Sequence, residues 1–268
     1  MVVQSKPISV LYLIFVFLIL ISATRKTFAQ KDSLAKDTLN YHKVLLVQFD
    51  TLMYLSDAEQ DIMQQSEKKM DDYRAYLRKS LDNKISGEVE TIIPCHSLLN
   101  DKTQQAISST LELYGKSSYR YDEPMKLKHV KSAKPLSSDK NPRQTADSKI
   151  SPQYITVQGD AKYMNAVVQD KSVFENLNKQ YKTDLFLLIN QFEIKTNYNS
   201  CIDIERHVYK REVIVSYSMY DVKGKQLDGN LAHAYFPSNT NRDRDIAEQT
   251  FPLIAESIAN HVRALSIK

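Results

Sequence analysis

Glycine is scarce, with five residues in 268. Loops that cradle phosphate and the elbows that present a nucleophile need backbone that only glycine adopts freely, so the shortage removes several enzyme classes. Neither G-x-G-x-x-G nor G-x-S-x-G occurs. Gly115-Lys116-Ser117 resembles the end of a Walker loop, but the motif needs another glycine where Thr110 stands. There is no H-E-x-x-H, and His42, His96, His129, His233 and His261 are scattered without paired spacing. Tryptophan is absent, and no repeat with a period of roughly twenty to fifty residues announces a solenoid or propeller.

Cysteine is also rare: Cys95 and Cys201 are the only two. They can form one disulfide in an oxidising compartment or stay as two buried thiols packed as small hydrophobes. The longest apolar run, Ile8 to Ile21, follows Lys6 and is about 14 residues long, short of the ~18–20 that span a bilayer. Ser22-Ala23 and Thr27-Phe28-Ala29 then supply small residues for cleavage, so residues 1–29 read as an export signal and the mature chain begins at Gln30. No cysteine stands near that point to carry a lipid, which leaves no stable membrane anchor after processing. Losing Lys6, Arg25 and Lys26 takes the formal charge from +4 to +1. A near-neutral exported chain excludes nucleic acid as a partner.

The mature chain alternates strands and helices. Lys43-Val44-Leu45-Leu46-Val47-Gln48-Phe49 is continuously apolar, as in a central strand covered on both faces. Ser56-Asp57-Ala58-Glu59 fits a capping box, followed by one helix with Ile62, Ser66, Met70, Tyr73, Leu77, Leu81 and Ile85 on its inner stripe. Gly87 ends that helix in this reading, Val89 to Ile93 is a short strand closed by Pro94, and a second helix runs from Leu98 to Tyr114 with Ile107, Leu111 and Tyr114 inward. Residues 116–160 carry Lys, Ser, Pro124, Pro135, Pro142 and Pro152 with few apolar residues, which predicts a flexible basic insertion. It is either a solvated linker or a patch for anionic lipid or polysaccharide. A helix over 171–181, a central strand over 184–195 and a strand with Val213, Val215, Tyr217 and Met219 alternating follow. Gly224 turns a hairpin whose second strand runs from Gln226 to Phe236, and a helix from Asp243 to Leu265 ends the chain, with Pro252 bending it. The class is α/β to α+β, with a mixed sheet of about five strands, packing helices and a long basic insertion. Residues 30–115 and 161–268 form the two halves of one domain.

Cys201, Asp203, Glu205 and His207 fall on alternate positions and would share one face of a strand as potential metal ligands. Same-face neighbours are ~6.5–7 Å apart, so four cannot grip one ion on a straight strand. Cys95-His96 gives a thiolate–imidazole pair only if their side chains meet, and on an extended segment they point apart. Asp50 and Thr51 stand at the carboxyl end of the first strand, where open sheets place ligands or where an aspartate caps the next turn. Tyr54, Tyr119, Tyr121, Tyr198 and Tyr235 are candidates for a contact surface for protein or glycan.

Val44-Leu45-Leu46-Val47-Gln48-Phe49-Asp50 with its following helix resembles the opening of the TolB amino-terminal domain and of CsgG/LpoB-type envelope folds. The strand from Asp184 to Lys195 and the hairpin at Asp221-Val222-Lys223-Gly224-Lys225 resemble the closing half of that group, although a lipidation cysteine is missing and the insertion after Gly115 is long. The resemblance implies a non-catalytic domain that docks on other proteins of a bacterial cell envelope, through a sheet edge or an exposed hairpin. It carries over no catalytic, cofactor-binding or metal-binding residue. The second expectation is an exported small-ligand or metal-binding protein, a hydrolase among the options, with 201–207 as its site.

Overall fold

The computed structural model describes residues 40–127 and 162–266. The leader over 1–29 and most of the basic insertion lie outside the described residues. The described part is an α+β fold built on one mixed sheet. Its strands are β1 (Val44–Val47), β2 (Tyr54–Ser56), β3 (Cys95–Ser97), β6 (Leu185–Asp203), β7 (Val208–Asp221) and β8 (Gln226–Pro237). The order is β3-β1-β6-β7-β8, with β2 beside β6. β1 pairs in parallel with β3 and with β6, β2 pairs in parallel with β6, and the β6–β7–β8 half is antiparallel. Five helices complete it: α1 (Glu59–Ser66), α2 (Met70–Glu90), α3 (Gln104–Gly115), α4 (Ser172–Tyr181) and α5 (Asp243–Ser266). A separate two-stranded ribbon joins β4 (Ser117–Asp122) to β5 (Tyr163–Val168).

The continuous apolar runs became the central strands β1 and β6, since both faces of each are covered. On one face, Leu45, Val47, Phe186, Leu188 and Tyr220 pack against Leu113 of α3, Phe174 of α4 and Ala166 of β5. On the other, α2 and α5 lie together: Tyr73 meets Tyr54, and Phe251 meets Phe192 edge-on at 6.0 Å. The inner stripe of α2, Tyr73, Leu77, Leu81, Ile85 and Val89, has no exposed surface. Each such burial is worth about 1.5–3 kcal/mol, which explains why the helix continues through Gly87 to Glu90 at a glycine cost of about 1 kcal/mol. Gly87 is therefore not the stop, Val89 is helical, and the next strand is β3, which Pro94 precedes.

Other expectations also give way. Ser56 lies in β2 and is no helix cap; its hydroxyl accepts from the Ala58 amide at 3.2 Å, while Glu59 instead takes a two-pronged ion pair from Arg74 at 2.6 and 2.8 Å. The single long helix is two, because Glu67 adopts a left-handed φ of 53° and Lys68 turns to Asp243 at the start of α5. α3 begins later, capped by Thr103, and buries Ala106, Ser109 and Leu113; Ile107 and Leu111 are 47% and 63% exposed. Residues 117–122 are strand β4, so the insertion begins beyond them. The hairpin at Gly224 stands as expected, with φ at 66°.

Candidate functional site

β6 is 19 residues long and β7 is 14, where about 5–6 is usual for a strand. Burial along β6 stops at Thr196, so the last part of the β6–β7 pair extends past the helices as an arm. At its base lies an open cleft of ≈ 350 Å³ between the arm, α1 and the segment after β8. Arg211 forms its floor at 6% exposure. Its Nε donates to Thr196 Oγ1 at 3.0 Å, Nη1 to Asn241 Oδ1 at 2.6 Å and Nη2 to Asp61 Oδ2 at 2.8 Å. Thr196 is fixed in turn by the Asp57 carboxylate, which accepts from its amide at 2.8 Å and its hydroxyl at 3.0 Å. Tyr198 and Tyr209 pack edge-on at 5.4 Å along one wall, and Arg206, His207, Ser238 and Asn239 complete the rim.

A second feature is the edge formed by β8, the last strand of the sheet among the described residues. The Gly229 carbonyl accepts from the Met125 amide at 2.8 Å, on the side away from β7. Residues at the same pleat phase, Leu231, His233 and Tyr235, therefore direct their backbone N–H and C=O groups outward. Between Gly229 and Phe236 the strand holds no Lys, Arg, Asp or Glu, so charge does not protect this edge; at its Gly229 end Asn230 does, its Oδ1 accepting from the Leu231 amide at 2.9 Å and its Nδ2 donating to the Met125 carbonyl at 3.4 Å.

The structure disperses most of the sequence candidates. Residues 204–207 form a turn, so Cys201 and Asp203 alone lie on the strand and the four ligands share no face. Asp203 holds the turn by accepting from the Arg206 amide at 3.1 Å, and His207 takes a φ of 52°. Among the described residues, no group of three His, Cys, Asp or Glu is arranged to hold a metal ion. Cys95 and Cys201 are both free, one at the start of β3 and the other near the far end of β6. Burial, with Asp82 and Glu90 nearby, pushes the Cys95 thiol up to about 12, and the His96 imidazole points instead to Asp101 at 3.3 Å and stacks on Tyr181. Asp50 caps a 3-10 turn by accepting from the Leu52 amide at 3.0 Å. Lys116, at the end of α3, is held by Glu112 and Asp170, both at 2.8 Å. Of the five tyrosines, Tyr54 is buried, Tyr119 packs on the core, Tyr121 and Tyr198 are exposed and Tyr235 is half-buried on β8 under Lys210, so they form no common surface.

Two buried polar groupings escaped the sequence reading. Asp82 of α2 is fully buried; Ser97 Oγ donates to its Oδ2 at 2.5 Å and Asn100 Nδ2 at 2.9 Å, while Oδ1 and the neighbouring Gln48 carboxamide have no partner of ordinary geometry. Burial raises the Asp82 carboxyl above its usual range against the pull of Ser97, Gln48 and Arg78. In the other grouping, Asp228 of β8 meets His261 Nδ1 of α5 at 2.6 Å and accepts from the Gly229 amide at 2.9 Å. Tyr217 lies edge-on to His261 at 5.8 Å, its phenol kept protonated by burial and by Asp228. No short motif announces either grouping, because each joins residues from separate elements. Comparison with known families, curated proteins and solved structures finds no match to this chain.

Proposed function

We propose that this chain is an exported, non-catalytic recognition module of a bacterial cell envelope, which receives an extended segment of a protein partner on the edge of β8, where no further strand pairs among the described residues. The observation that carries the reading is that edge: a twelve-residue strand with three outward-facing backbone positions and no charge from Gly229 to Phe236. Such an edge gives main-chain hydrogen bonds to an added strand, while the half-buried side chains of Leu231 and Tyr235 offer alternate-position selectivity and the His233 side chain stays buried at 7% exposure. The leader read over 1–29 supplies the compartment, and the resemblance of β1 and its following helix to envelope folds supports the same role.

Crosslinking in intact cells followed by pulldown tests it, with Leu231→Pro beside the wild type. Proline at 231 leaves the β7 ladder intact and removes an outward N–H whose acceptor is the adjacent Asn230 Oδ1, at 2.9 Å, a bond that an added strand would replace, so the variant folds. The expected result is an envelope protein recovered with the wild type and lost with Leu231→Pro. Equal recovery with both, or recovery of the chain alone, overturns the reading.

A further inference from the structure

The cleft at the base of the β6–β7 arm has the features of a ligand site that the edge-strand reading leaves unused. Its floor is a cation, Arg211, almost wholly buried and held rigid by Thr196, Asn241 and Asp61. Three of the five guanidinium N–H donors are committed, which leaves one on each Nη. A guanidinium with an uncommitted N–H on each Nη has the donors to bond a carboxylate. Arg206, 80% exposed on the turn above, adds a second cation whose contact with Asp203 at 3.8 Å is too loose and too wet to hold it. The lining thus sets two arginines against one carboxylate, Asp61.

Asp61 also identifies the ligand chemistry. Its carboxylate already sits on Arg211 Nη2 at 2.8 Å, yet its side chain is 56% exposed. A group that Arg211 accepts in this geometry, on a side chain free to swing into water, is a resident occupant that another carboxylate can replace. The size of the cleft, ≈ 350 Å³, suits an amino-acid side chain with part of its backbone. Tyr198, 66% exposed, supplies an apolar wall for the ligand's methylene groups.

We infer that this cleft is a carboxylate-binding site for an acidic peptide segment, in which Arg211 and Arg206 hold the ligand's carboxylate and Asp61 competes with it. The site shares no residue with the β8 edge, so the two readings fail separately. Asp61 makes the site self-screened: an isolated carboxylate must outcompete it, whereas a multiply acidic segment engages Arg206 at the same time.

The test is a titration of the isotopically labelled, leader-processed chain followed by NMR. The probes are acetyl-Glu-Glu-Glu-amide, acetyl-Lys-Lys-Lys-amide, acetyl-Ala-Ala with a free carboxyl end, and inorganic phosphate. The acidic amide is expected to shift resonances of 196–211 and 238–241, and the lysine peptide to leave them unmoved. Response to acetyl-Ala-Ala alone assigns the site to a chain terminus, and response to phosphate alone overturns the peptide class. Arg206→Ala is expected to weaken the acidic amide roughly five- to tenfold, and Asp61→Asn to tighten it by a similar factor. Unchanged affinity in both variants, or shifts confined to other parts of the protein, overturns the inference.

Discussion

Gly229 of β8 is where the ribbon β4–β5 meets the main sheet, and adding one methyl group there tests that junction. A Cβ at 229 would fall 2.0 Å from the Tyr163 hydroxyl, 2.4 Å from its Cζ and 2.6 Å from Gln226 Nε2. The Gln226 amide can rotate away. The phenol cannot, because Tyr163 is 1% exposed and its rigid ring belongs to β5. Withdrawing it breaks the Gln226 Nε2 to Tyr163 hydroxyl bond of 2.7 Å and pulls on Met164, whose amide donates to Ser216 at 3.1 Å. Overpacking of this kind costs about 1–3 kcal/mol and the lost hydrogen bond about 1, so Gly229→Ala should destabilise the protein by about 2–4 kcal/mol. The assay is urea unfolding of the wild type, Gly229→Ala, Tyr163→Leu and the double variant. Leucine removes the end of the ring, so the glycine substitution should then cost less than about 1 kcal/mol, giving a coupling of about 1.5–3. A cost below about 0.5 kcal/mol in the wild-type background, or an equal cost in both, refutes the reasoning.

Other outcomes follow from single groups. The raised carboxyl of Asp82 means that, as pH climbs from its unfolded value of 3.8, the unfolded chain loses a proton that the folded one keeps, and stability falls up to the folded value. Asp82→Asn keeps an acceptor for Ser97 and Asn100 without that proton, so thermal melts across acid to neutral pH should lose this slope; identical slopes would contradict the assignment. With its thiol near 12, Cys95 should resist a thiol reagent at neutral pH while exposed Cys201 reacts, giving one titratable thiol in the native protein and two after unfolding. Two fast thiols in the native protein would place Cys95 in a different setting. Gly224→Ala should cost about 1–3 kcal/mol in urea, since its φ is 66° and a Cβ would lie 2.9 Å from Lys171 and Phe174; a neutral result would mean that the turn rearranges.

What the sequence made legible follows the range of the forces involved. β1, β6 and the Gly224 hairpin were readable because their signals are local: a continuous apolar run, a period of two, a turn dominated by one glycine. The end of α2 was misread because Val89 gains more by burial than Gly87 costs, and that burial depends on partners far along the chain. β4 was missed because its residues alternate only weakly and its partner, β5, begins at Tyr163. The alternation of 201–207 suggested a strand face, but the Asp203 side chain folds the segment back without any glycine to mark the turn. Arg211 lies just before the alternating stretch of β7 and carries no local signal; Asp61 of α1 and Asn241 of the segment after β8, both distant in sequence, bond it.

That burial poses a question stability alone does not answer, because placing a guanidinium at 6% exposure has a desolvation cost that its partners offset only in part. If Arg211 serves the fold, an apolar side chain of similar length should weaken the protein; if it serves a ligand, the fold should tolerate the exchange. Arg211→Ala opens a hole and should cost about 2–4 kcal/mol, toward the low side for a broken buried pair because the half-exposed Asp61 remains solvated. Arg211→Met fills the hole, strands no charge in the interior and leaves Thr196 held by Asp57. It should lie within about 1 kcal/mol of the wild type in urea while losing the response to acetyl-Glu-Glu-Glu-amide. If Arg211→Met is as unstable as Arg211→Ala, the guanidinium is a structural tie between α1, β6 and β7, and the cleft above it has no claim to a carboxylate.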